Sequence, residues 1–170
     1  MRVTFVDRSS GAVRPSVLRP FLRRLASYLD APPGELAVLL CNDLEIASLN
    51  AAWRGKPRAT DVLSFPGGGA TAEGRVHLGD LAISVETAAR AARRERRPLR
   101  WEIETLLAHG FLHLLGFDHE TDDGTMMRLQ EKALRHARVG GASNGRRAGR
   151  AKRGALVGRE AAGPRPSPGR

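Results

Sequence analysis

The sequence of 170 residues is poor in cysteine and in aromatic side chains: it has one Cys, one Tyr, two Trp and five Phe. A lone cysteine, Cys41, excludes an internal disulfide and any thiolate cluster for zinc. No apolar run reaches the roughly eighteen residues that a membrane-spanning helix requires. The segment Met1 to Arg8 lacks the apolar stretch of a secretory signal. A reducing cytoplasm is the expectation from these absences. A hydrophobic fraction of 41% suffices for one core and not easily for two.

Acidic residues are also scarce in one place. From 140 to 170, eight basic residues stand against one acid, Glu160, which accounts for +7 of the net +10 and leaves +3 for residues 1–139. The same stretch is rich in Gly and Pro and has no aromatic residue. Too little apolar surface is available there to offset ordering entropy. The expected organisation is a domain over 1–139 and a disordered basic tail over 140–170. Such a tail can hold nucleic acid by phosphate attraction, or it can be a solvated extension.

Within the first 139 residues the pattern alternates between strand and helix before turning helical. Val3 to Val6 reads as a buried strand, and Pro15 opens a helix with Val17, Leu18, Phe21, Leu22, Leu25 and Leu29 at three- and four-residue spacing. Pro32-Pro33-Gly34 ends it, Leu36 to Cys41 forms a second strand, and Asn42 or Asp43 caps a helix reaching Trp53. Asp61 to Pro66 is a short strand suited to an edge by its proline, and Val76 to Val85 is another, with Gly79 marking a bulge or close approach. Helices follow over Glu86–Arg97, Leu99–Leu115 and Asp122–Val139, the second apolar on nearly every side. In the last, Met126, Met127, Leu129, Ala133 and Leu134 are expected to face inward. The order implies an α+β fold, a small mixed sheet packed against helices.

The chemistry concentrates in Ala108-His109-Gly110-Phe-Leu-His113-Leu-Leu-Gly116-Phe-Asp-His119. His109 and His113 lie one helical turn apart on one face, and Gly116 lets the chain leave the helix so that His119 folds back over that face. Three neutral imidazoles suit zinc and leave one tetrahedral position open, the pattern of a catalytic site. Histidine ligands do not select zinc alone, so nickel or another divalent ion also fits. The spacing matches the extended zinc-peptidase motif except at one position. Gly110 stands where the general-base Glu would be, which disfavours a metallopeptidase. Asp118 and Glu120 are the nearby acids, each equally suited to orienting a ligand ring. His77 and His136 read as structural or surface groups, and Asp61 and Asp80 as structural acids.

These residues resemble the His-Gly-x-Leu-His-Leu-x-Gly-Tyr-Asp-His signature of the YbeY family, bacterial endoribonucleases of ribosomal RNA maturation. Asn50-Ala-Ala-Trp-Arg54-Gly-Lys56, continuing to Thr60-Asp61-Val-Leu-Ser-Phe-Pro66, and Leu78-Gly79-Asp80-Leu81 resemble two further family motifs in the same order. Phe117 replaces the usual Tyr, and Pro57 and Ala59 depart from the family loop. The resemblance implies a zincin-like fold with a central metal-binding helix and one zinc-type ion on His109, His113 and His119. It also implies a functional Arg54, and action on small-subunit ribosomal RNA, near its 3′ end, in maturation and ribosome quality control. The partners it implies are the small ribosomal subunit and assembly proteins.

Arg54 also has a physical rationale of its own: a guanidinium forks onto phosphate oxygens, although an Arg in a polar loop is more often only solvated. Lys56, Arg58 and the row Arg90, Arg93, Arg94 and Arg97 are further candidates for backbone contacts. The rival reading from another class is a non-catalytic rRNA-binding assembly factor whose metal holds its fold.

Overall fold

The computed structural model describes residues 1–9, 11–69, 74–119 and 122–139. Its order is β1 (Arg2–Asp7), α1 (Pro15–Tyr28), β2 (Glu35–Cys41), α2 (Asp43–Arg54), β3 (Val62–Pro66), β4 (His77–Ser84), α3 (Val85–Arg94), α4 (Leu99–Leu114) and α5 (Thr125–Val139). The four strands form one mixed sheet in the order β1-β2-β4-β3. β1, β2 and β4 run parallel, and β3 pairs antiparallel with β4 at the edge, where Pro66 belongs.

Side-chain alternation along the strands divides the core in two. Leu36, Val38, Leu40, Leu81 and Ile83 face the larger cluster with α1, α3, α4 and α5. Leu39, Cys41, Leu63, Phe65 and Ala82 face the smaller one, which Ile46 and Leu49 of α2 cover. Burial pushes the Cys41 thiol up to about 12, with Glu45, Asp43 and Glu86 adding to the rise, so it is an inert core group. Val6 is exposed because β1 is the outer strand and the cover of α2 does not reach it, so the strand expected to be buried is buried on one face only.

α4 is wrapped by the larger core, with Ile103, Leu107 and Phe111 inaccessible to solvent. Two acids share that burial, and arginines meet both. Glu104, 1% exposed, accepts from Arg100 Nε at 2.8 Å and Arg138 Nε at 2.9 Å, and Glu102 pairs with Arg97. The expected row of free arginines is therefore largely engaged. Arg97 lies beyond the end of α3 and on Glu102, and Arg90 sits 2.7 Å from Asp43. α5 begins three residues later than its sequence pattern because Asp122 accepts from the backbone N–H of Gly124 and Met126. Met127 points outward on it, contrary to expectation, while Met126 is buried. The proposed tail, 140–170, lies outside the described residues, and no described helix is long and apolar enough to cross a membrane.

Candidate metal centre

α4 delivers His109 and His113 on one face, and its C-terminal turn delivers His119. Gly116 N–H donates to His113 O at 3.0 Å and Phe117 N–H to Leu112 O at 3.1 Å, the paired bonds of a Schellman turn. Gly116 has φ +87°, a conformation that favours glycine, and it reverses the chain so that His119 returns. The three ring centroids lie 4.7, 5.1 and 5.2 Å apart. One nitrogen from each ring falls within 4.8 Å of the others.

The nearest pair tests whether these rings fit one cation. His109 Nδ1 faces Gln130 Oε1 at 3.0 Å, which places the ring proton on Nδ1 and the lone pair on Nε2. That Nε2 lies 3.2 Å from His113 Nε2. Two imidazoles bound to a single tetrahedral zinc at ~2.0–2.1 Å would have nitrogens about 3.3 Å apart. The spacing therefore fits a shared ion. Burial, followed by the neighbouring His109 and His119, lowers the His113 pKa from its usual range, which favours the neutral, ligating form.

Gln130 is a site residue that the sequence reading missed. It comes from α5, 21 positions from His109, and is 6% exposed. Its only sequence signal is a polar side chain on the inward face of an amphipathic helix. The position after His109 is equally informative. A Cβ on Gly110 would lie 2.7 Å from Leu81 Cδ2, 3.0 Å from Ser64 Oγ and 3.3 Å from Val62 Cγ2. Gly110 thus faces the sheet so closely that a side chain there would be aimed at β3 and β4. The other histidines are engaged elsewhere. His77 Nε2 lies 3.2 Å from Asp80 Oδ2, and His136 packs against Tyr28 with ring centroids 4.8 Å apart.

Arg54 is the last residue of α2, across the sheet from α4, and is exposed. Its side chain makes no hydrogen bond or ion pair among the described residues. The structure does not bring it into the histidine group. Asp61 accepts from the Val62 N–H and the Thr60 hydroxyl at the start of β3, a structural role. Glu120 lies outside the described residues.

Residues 15–138 match the family model described as Endoribonuclease YbeY. The chain belongs to the YbeY family. An Endoribonuclease YbeY from Anaeromyxobacter dehalogenans (strain 2CP-C) is 47% identical over 149 residues, 85% of this chain and 77% of that protein. Another, from Anaeromyxobacter sp. (strain Fw109-5), is 47% identical over 126 residues, 72% of this chain and 65% of the relative, just under two thirds of its length. The chloroplastic Endoribonuclease YBEY of Arabidopsis thaliana is 50% identical over 99 residues, 58% of this chain and only 17% of that protein. Among solved structures, the solution structure of TM1509 from Thermotoga maritima superposes with a TM-score of 0.57 at 25% identity, covering 79% of this chain and 88% of that one. The mixed α+β architecture expected from the sequence is therefore the architecture of the chain.

Proposed function

We propose that this chain is a metal-dependent endoribonuclease that acts on single-stranded segments of small-subunit ribosomal RNA, near the 3′ end, during maturation and ribosome quality control. The observation that carries the reading is the convergence of His109, His113 and His119 on one point within a chain of the YbeY family. Zinc suits the three imidazoles best, and nickel is the nearest substitute. Ribosomal assembly proteins are the expected partners, and the cytoplasm is the expected compartment.

A divalent ion held there supplies Lewis-acid charge to a bound phosphodiester. The chain's own residues do the rest. Gln130 holds the His109 ring by its Nδ1 proton, and burial of His113 beside His109 and His119 favours its neutral form. Arg54, on the other side of the sheet, brings a permanent charge and two parallel N–H donors to a phosphate elsewhere along the same RNA strand. Position 110, where the peptidase motif carries its base, is a glycine turned toward the sheet, which disfavours peptide as substrate. A purely structural metal is disfavoured by α4 itself, whose Ile103, Leu107 and Phe111 are buried without help from the histidine face.

Chelation tests this reading. Removing the metal should abolish cleavage of single-stranded RNA, and one equivalent of zinc should restore it. Arg54→Ala should retain the ion while cleaving more slowly. Cleavage that persists after the metal is gone would refute the proposal.

A further inference from the structure

Trp53, on the last turn of α2, leaves 71% of its surface open to solvent. Its indole is held against Phe65 of β3, with centroids 5.6 Å apart and planes at 66°. Next to it in the chain come Arg54, Lys56 and Arg58, all exposed, and none of them forms an ion pair among the described residues. Most other arginines near the domain's helices are tied to acids, as Arg90, Arg97, Arg100 and Arg138 show.

The loop carrying these cations is fixed rather than merely solvated. Lys56 N–H donates to Asn50 O at 3.2 Å, and Arg58 N–H donates to Lys56 O at 2.8 Å. The side-chain amide of Asn50, itself buried, donates to Arg58 O at 2.9 Å. Unengaged positive charge calls for an anion, and an open indole calls for a flat ring. A single-stranded nucleic acid offers both, whereas a duplex hides its base faces. β3 also links this surface to the metal helix. Phe65 meets Trp53 on one face of the strand, and Ser64 donates from the other to the carbonyl of Gly110, beside His109, at 3.3 Å.

We propose that Trp53, backed by Phe65, is a stacking platform for an unpaired RNA base, with Arg54, Lys56 and Arg58 holding the flanking phosphates. This inference rests on the RNA-directed reading above for the identity of the ligand. It assigns Trp53 to binding, not to the chemical step.

Trp53 and Trp101 are the two tryptophans of the chain, so Trp101→Phe leaves Trp53 as the sole indole fluorophore. Titration of that variant with heptaadenylate should quench the emission, and an abasic ribose-phosphate chain of equal length should not. Trp53→Ala should weaken heptaadenylate binding by about fivefold or more, because base–aromatic stacking contributes that much, and Trp53→Tyr should restore most of it. In cleavage assays Trp53→Ala should raise KM and leave kcat near the parent value. Equal quenching by the abasic chain, or an unchanged Kd for Trp53→Ala, would overturn the platform. Emission that changes with protein concentration and not with RNA would also overturn it, since the indole would then face a second copy. Quenching by RNA that is never cleaved would keep the platform and refute the nuclease. Cleavage with an unchanged KM in Trp53→Ala would do the reverse.

Discussion

Replacing Gly110 by alanine sets two opposed effects against each other within the metal-binding helix. Alanine is the better helix former, by roughly 0.8–1.0 kcal/mol at an interior position. The added methyl, however, arrives 2.7 Å from Leu81 Cδ2, 3.0 Å from Ser64 Oγ and 3.3 Å from Val62 Cγ2. Leu81 is 1% exposed and sits in the larger core cluster, so it must displace other core side chains to give way. The three contacts come from three residues on two strands, so no single rotation clears them. Forcing a methyl into a well-packed site costs about 1–3 kcal/mol. Two of the three contacts stand at 3.0 Å or closer, which puts the cost in the upper half of that range, so overpacking wins and the net loss for Gly110→Ala should be about 1–2 kcal/mol. For a domain of this size that lowers Tm by roughly 4–8 °C, readable by thermal denaturation followed by circular dichroism. Gly110→Glu should lose more, since it buries an unpaired carboxylate, and it should gain no peptidase activity. A Gly110→Ala protein as stable as its parent would refute this reasoning, because it would mean that the position is open and that a catalytic Glu could stand there.

Gln130→Leu leaves the His109 Nδ1 proton without an acceptor, and zinc affinity should fall by about 10- to 100-fold in a competition titration. Chelation should leave the far-ultraviolet circular dichroism of the domain intact, since apolar burial holds α4; loss of helix on chelation would favour the structural metal instead. Asp43 gives a pH dependence of stability. Burial works against its charge, but hydrogen bonds from the hydroxyls of Ser84 and Thr87 and from Arg90 outweigh it and hold its pKa below the ordinary 3.8. A depressed carboxyl stabilises the fold above that value and loses the contribution as pH falls through the folded pKa, so acid titration should show less pH dependence in Asp43→Asn.

Much of this fold was legible because local rules and tertiary contacts agree. Pro15, Asn42 and Gly116 mark helix ends that the structure keeps, Asn42 by accepting the Glu45 N–H at 2.9 Å. Gly79 was read as a bulge or close approach, and both occur. A register shift falls opposite it in β2, and its φ is +135° with Phe65 O only 2.4 Å from where a Cβ would be. The position of β4 between β2 and β3 was not legible, because strand order depends on pairings across long stretches of chain. Met127 and Val6 were misjudged for a related reason: apolar character does not say where the covering layer ends. In the site, His109 and His113 announce themselves by helical spacing. Gln130 does not, because its partner is 21 residues away. Nor does sequence distinguish the arginines bound to Glu102 and Glu104 from those left open beside Trp53.

The most direct test of the account is cleavage of an end-labelled small-subunit precursor rRNA, naked and within assembled subunits, by the native chain and by His113→Ala purified in parallel. The histidine centre predicts defined cleavage by the native chain and none by the variant. Equal cleavage by both, or none by either on either substrate, would contradict a metal-centred ribonuclease.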